Sequence, residues 1–80
     1  MRIDKFLKVS RLIKRRTVAA EACDAGRISV NGKSVKPGYD VKLGDVVEIR
    51  FGEKSLKVEI LEIKETVGKN DAAAMYREIG

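Results

Sequence analysis

Gly26-Arg-Ile-Ser-Val-Asn-Gly32 is the stretch in which the chain changes its periodicity. Gly26 stands where a helix that ends in the left-handed conformation favours a residue without a Cβ atom. Ile28-Ser-Val30 then alternates apolar and polar residues, as a half-buried strand does. Asn31-Gly32 is a two-residue hairpin signal, because both central positions of a type I′ turn require positive φ. Residues before this stretch follow helical spacing and residues after it follow strand spacing. The predicted class is α+β: two N-terminal helices packed on a small antiparallel sheet, with a short C-terminal helix.

Upstream, Ile3, Phe6, Leu7 and Ser10 recur at three- and four-residue spacing, one stripe of a helix. Asp4, Lys8 and Arg11 fall on the opposite side. Val9 and Leu12 leave the stripe, so the helix is expected to end or bend near Ser10. Thr17 reads as the N-cap of a second helix running to about Ala25. Val18, Ala22 and Ala25 then share its buried face, with small side chains that let the two helices approach closely.

Downstream, Lys33 to Val35 is the expected return strand of the hairpin. Pro37-Gly38 and Leu43-Gly-Asp45 read as turns. Val47, Ile49 and Phe51 alternate with Glu48 and Arg50, a half-buried strand. Gly52-Glu-Lys54 closes a second hairpin onto a strand from Lys57 to Ile63, whose alternation slips phase at Leu61 and Ile63, the sign of a bulge or a strand end. Gly68-Lys-Asn70 reads as a loop, and Asp71 as the cap of a last helix over Ala72 to Ile79. Phe6, Phe51 and Tyr76 are assigned to the core.

Eighty residues are read as one domain spanning 1–80. A chain of this size buries only about 60% of its unfolded surface, so the core is small. No apolar run approaches the roughly twenty residues of a membrane span, and Met1 to Arg16 lacks the features of a signal peptide. The single cysteine, Cys23, excludes an internal disulfide, and a buried, inert thiol is the simpler reading. The absence of histidine argues against zinc sites and histidine-based acid–base catalysis. No nucleophile elbow or phosphate-cradling loop is present, and Glu59, Glu62 and Glu65 read as the exposed side of a strand and the turn after it. No enzyme activity, metal or cofactor is expected, and the expected location is the cytoplasm.

Charge gives the functional direction. Met1 to Lys36 holds ten Lys/Arg and three Asp/Glu, a net of +7, whereas Pro37 to Gly80 carries a net of −2. Such asymmetry implies a polyanionic partner, most simply nucleic acid. Arg11-Leu-Ile-Lys-Arg-Arg-Thr17 is its densest part. Arg15 and Arg16 precede the second helix, whose first amide groups add to an anion-binding locus. Lys33 and Lys36 extend the basic surface. Four aromatic residues without an RRM signature argue for structured RNA, read by shape and phosphates, over single-strand stacking.

Arg2-Ile-Asp-Lys-Phe-Leu7, Arg11-Leu-Ile-Lys-Arg-Arg-Thr17, Gly26-Arg-Ile-Ser-Val-Asn-Gly32 and Lys42-Leu-Gly-Asp45 together resemble the S4 RNA-binding domain over about residues 1–50. The whole chain, through Ala72-Ala-Ala-Met-Tyr76, resembles the RqcP (YabO) family of stand-alone S4-domain proteins, with 51–80 forming the C-terminal strands and short helix. The resemblance implies a factor of ribosome-associated quality control. Such a factor binds large ribosomal subunits that retain peptidyl-tRNA in the P site. It lies between large-subunit (23S) rRNA and that tRNA, and it supports RqcH, which adds untemplated C-terminal alanine tails to the stalled chain. Carried over by motif position, Arg2, Asp4, Lys5, Arg11, Lys14, Arg15 and Arg16 fall where the family places its RNA-facing residues. The expected RNA-binding set is therefore Arg2, Lys5, Lys8, Arg11, Lys14, Arg15, Arg16, Lys33 and Lys36.

Asp4 is an acid among bases. It supplies either charge at a helix N-terminus or a partner that orients Arg2 or Arg16 in a fork geometry. Three other functions are weighed against the leading one. The heat-shock S4 proteins that rescue free large subunits carry a longer basic C-terminal extension. Pseudouridine synthases need a catalytic domain for which eighty residues leave no room. A general duplex-DNA binder is separated by competition between tRNA and DNA at fixed salt.

Overall fold

The structure, a computed structural model, describes residues 1–79. Gly80, the last residue of the expected 51–80 segment, lies outside the described residues. The elements are α1 (Ile3–Val9), α2 (Arg16–Asp24), β1 (Ile28–Val30), β2 (Lys33–Ser34), β3 (Val46–Phe51), β4 (Lys54–Ile60), a one-turn α3 (Lys69–Ala72) continued by a 3-10 turn (Ala73–Met75), and β5 (Tyr76–Glu78). The five strands form one sheet in the order β2-β1-β3-β4-β5, with every pairing antiparallel.

The periodicity change at Gly26 is where helices give way to sheet. Ala25 caps α2, and Gly26 follows at φ +75°, the left-handed value that L side chains avoid. Asn31 and Gly32 take φ of 51° and 85°, so β1 and β2 are joined by the expected type I′ turn. The Asn31 side chain pins this turn to the neighbouring loop. Its Nδ2 donates to Asp45 Oδ1 at 3.1 Å, and its Oδ1 accepts from the Val46 amide at 3.0 Å.

Register then builds the core. Val30, Val47 and Val58 lie opposite one another across three strands, and Ile28 faces Ile49. Ile3, Phe6 and Leu7 of α1 and Ala19 and Cys23 of α2 join these residues, Val41, Ile60 and Met75 in one buried cluster. The helical stripe of α1 is therefore the core face, and its inner residues Ile3, Phe6 and Leu7 have no exposed surface.

Several expectations are corrected. α2 begins one residue before Thr17, with Arg15 at the N-cap and no side-chain cap. Its buried face is Ala19 and Cys23, with Ala22 partly buried, while Val18 is exposed and Ala25 lies at the surface. The return strand of the first hairpin stops at Ser34. The second hairpin turns at Gly52, and its return strand runs from Lys54 to Ile60, so the phase slip at Leu61 marks the strand end. Phe51 ends β3 at that turn, beyond the reach of the core, and is 51% exposed. The last helix is a single turn, with Asp71 inside it. Residues Tyr76–Glu78 instead form a strand paired to β4, because backbone bonding to a free sheet edge outweighs the helical tendency of an alanine-rich segment. Tyr76, opposite Ile60, is half-buried.

Candidate nucleic-acid interface

Burial of Asp4 organises the basic end of the chain. The sequence places Asp4 on the solvent side of α1, yet the residue is only 4% exposed. One of its oxygens, Oδ2, lies 3.3 Å from Arg2 Nη2 and 3.4 Å from Arg16 Nε. The other, Oδ1, accepts from the Lys5 amide at 2.8 Å. A buried carboxylate requires such partners. Arg2 is the residue before α1 and Arg16 is the first residue of α2. The pair thus marks the N-terminal ends of both helices, and one carboxylate links them. Both arginine side chains remain about half exposed, at 56% and 46%, so each guanidinium has donors left for an external anion.

The loop between the helices carries the next group. Lys8, Arg11 and Lys14 line one depression together with Val9 and Ile13, and Glu65, Thr66 and Val67 complete it. Arg11 adopts φ +64°, a left-handed conformation rare for a residue with a Cβ. It follows the C-cap Ser10, and its amide donates to the Lys8 carbonyl at 3.1 Å, so arginine occupies a position that usually holds glycine. Arg15 is exposed at the α2 N-cap, where no side chain satisfies the first amide groups of the helix.

Lys5 is in a different situation. Its ammonium pairs with Glu65, from the segment after β4, and this contact holds the Glu65 carboxyl below its usual pKa. Lys33 and Lys36 stand apart from the helical group and line a second groove, beside Val30, Val35 and Tyr39. The expected residues thus fall into three subsets: Arg2–Asp4–Arg16, Lys8–Arg11–Lys14 and Lys33–Lys36. Arg15 flanks the first two, and Lys5 is neutralised by Glu65. Sequence reasoning missed Glu65 and Tyr39. The only local sign of Tyr39 is its place just after the Pro37-Gly38 turn.

Cys23 sits behind this face. Burial, then the charges of Asp4 and Asp24, push its thiol up to about 11, which removes the reactive thiolate at neutral pH.

The S4 domain family model matches residues 1–47, the part that holds nearly all of these side chains. A relative from Streptococcus pneumoniae, the RQC P-site tRNA stabilizing factor, is 60% identical over 79 residues, covering 99% of this chain and 90% of the relative. The protein of the same name from Bacillus subtilis is 58% identical over 76 residues, covering 95% and 88%. Among solved structures, heat shock protein 15 of Vibrio cholerae superposes with a TM-score of 0.91 at 30% identity, covering 99% of this chain and 81% of that one. These matches extend beyond the S4 motif to the C-terminal strands, and the chain belongs to the S4-domain family, within the group of RQC P-site tRNA stabilizing factors.

Proposed function

We propose that this protein is a non-enzymatic RNA-binding factor that holds peptidyl-tRNA in the P site of obstructed large ribosomal subunits. It contacts 23S rRNA and tRNA together, acts in the cytoplasm, and supports RqcH-mediated alanine tailing of stalled nascent chains. One observation carries the reading: Arg2 and Arg16 are fixed on the buried Asp4 carboxylate at the end of the chain that holds the +7 excess. Two forks held at a set spacing bind phosphates in a preferred geometry, which a loose array of lysines does not do. Lys8, Arg11 and Lys14 supply a second phosphate track beside them, Arg15 lies between the two, and Lys33 and Lys36 extend the surface. Lys5 joins when a phosphate displaces Glu65.

Heat shock protein 15 offers a second reading, rescue of free large subunits, favoured by the TM-score of 0.91. Identity supports the first reading: 30% to that protein against 60% to a P-site tRNA stabilizing factor. The test is Arg16→Ala. Co-sedimentation with large subunits bearing peptidyl-tRNA, and alanine tailing with them, should be lost while circular dichroism remains native. Arg16→Lys should restore binding only in part, since lysine keeps the charge but not the planar fork. A folded Arg16→Ala protein that co-sediments and supports tailing at the wild-type level refutes the role.

A further inference from the structure

The groove between the β1–β2 hairpin and the Pro37–Tyr39 turn has a composition unlike the rest of the basic face. It is an open groove of about 600 Å³. Val30, Val35 and Tyr39 are its apolar residues, and Tyr39 remains 38% exposed. Lys33, Lys36 and Ser34 complete it, and no carboxylate lines it among the described residues. An aromatic surface beside two ammonium groups suits a ligand with a flat π face and an attached anion.

The backbone beside Tyr39 also runs close to Arg2, through a bridge between Arg2 and Asp40. Gly38 adjoins Arg2, a Cβ built on it coming within 4.0 Å of Arg2 Nε, and the Tyr39 carbonyl accepts from the Ile3 amide at 2.7 Å. A nucleic-acid strand whose phosphates lie on Arg2 passes Gly38 and meets Tyr39 next. The Asn31 amide is held in place by one bond at each end, to Asp45 and Val46, which leaves it one N–H and one lone pair. The groove therefore offers stacking and phosphate contacts but few fixed groups to read a base edge.

We infer that this groove takes one unpaired nucleotide of a structured RNA. Its base lies against Tyr39 and its phosphate against Lys33 and Lys36, with little preference among the four bases. The inference rests on the RNA-binding reading above and adds to it a single-nucleotide subsite. Stacking tolerates any base because every base has a π face, and unpaired loop or bulge nucleotides are where structured RNA presents one.

The test uses intrinsic emission. The chain has two tyrosines and no tryptophan, so Tyr76→Phe leaves Tyr39 as the sole reporter. The probes are a stem-loop RNA with an unpaired loop and a continuous RNA duplex of equal length. The stem-loop should quench Tyr39 emission and the duplex should not. Tyr39→Leu, which keeps apolar bulk but has no π face, should bind the stem-loop about tenfold or more weakly, while Tyr39→Phe stays within about twofold of wild type. Quenching by the duplex alone, or a Tyr39→Leu protein of native melting temperature that binds the stem-loop as wild type does, overturns the inference. In either case wild-type binding that is lost in Arg16→Ala leaves the parent reading standing. Failure of the wild-type protein to bind either RNA overturns both.

Discussion

Asp4→Asn separates charge from positioning, because the two act with opposite sign. Removing the carboxylate raises the net charge of +5 by one unit, which on Coulombic grounds tightens RNA binding. The geometry requires the reverse. Asp4 Oδ2 is the one atom that faces both Arg2 Nη2, at 3.3 Å, and Arg16 Nε, at 3.4 Å. Asparagine keeps the shape and can keep the hydrogen bond from the Lys5 amide, but it has no charge to hold two guanidinium groups. Both arginines are about half exposed, so once released they return to solvent. The stability cost then falls on the buried position alone, about 1–2 kcal/mol. Binding suffers more. An arginine side chain carries roughly 2 kcal/mol of rotamer entropy, and if the pairing withdraws half of that from each, re-ordering both costs roughly 2 kcal/mol, or about 30-fold in affinity. Fluorescence anisotropy with a stem-loop RNA at fixed salt measures the change. Glu21→Gln, on the exposed side of α2, is the charge-matched control. Should Asp4→Asn bind as tightly as Glu21→Gln or more tightly, the positioning argument is refuted.

Two further outcomes follow from the same face. If about five phosphates are neutralised, the log–log slope of affinity against salt should lie near −3.5 to −4.5, from about −0.7 to −0.9 per phosphate; a slope near zero rejects the electrostatic description. Arg11→Gly should stabilise the fold by about 0.5–1 kcal/mol, because glycine relieves a left-handed conformation that costs other residues roughly 1–2 kcal/mol, while RNA affinity falls severalfold. Thermal melting beside the anisotropy assay checks both signs, and a lower melting temperature would contradict the assigned strain.

The sequence made the helix-to-sheet order legible because the signals are local. Gly26, Asn31 and Gly32 fix backbone conformations within a few residues of themselves. The stripe of α1 was equally direct. What failed depended on distant partners. The buried face of α2 lies one residue, or about 100°, from the expected one, at Ala19 and Cys23 instead of Val18 and Ala25, because packing against the sheet and α1 chooses the face. Nothing near Tyr76 reveals that the free edge of β4 will claim it. At the candidate interface, composition identified the bases but not their grouping. That grouping depends on Asp4, whose inward position follows from packing of α1 beside α2, and on Tyr39 and Glu65, which reach the face from later in the chain.

The order of strand lengths has a consequence for solubility. The two longest strands, β3 and β4, lie inside the sheet, while its rims are β2, of two residues, and β5, of three. The stretch of β4 beyond its last pairing with β5 is Lys54-Ser-Leu-Lys57, with lysine at each end. A second copy seeking to add a strand meets a template too short to register on, or one guarded by like charge. Edge-to-edge pairing of folded copies, the usual start of sheet aggregation, is thereby disfavoured.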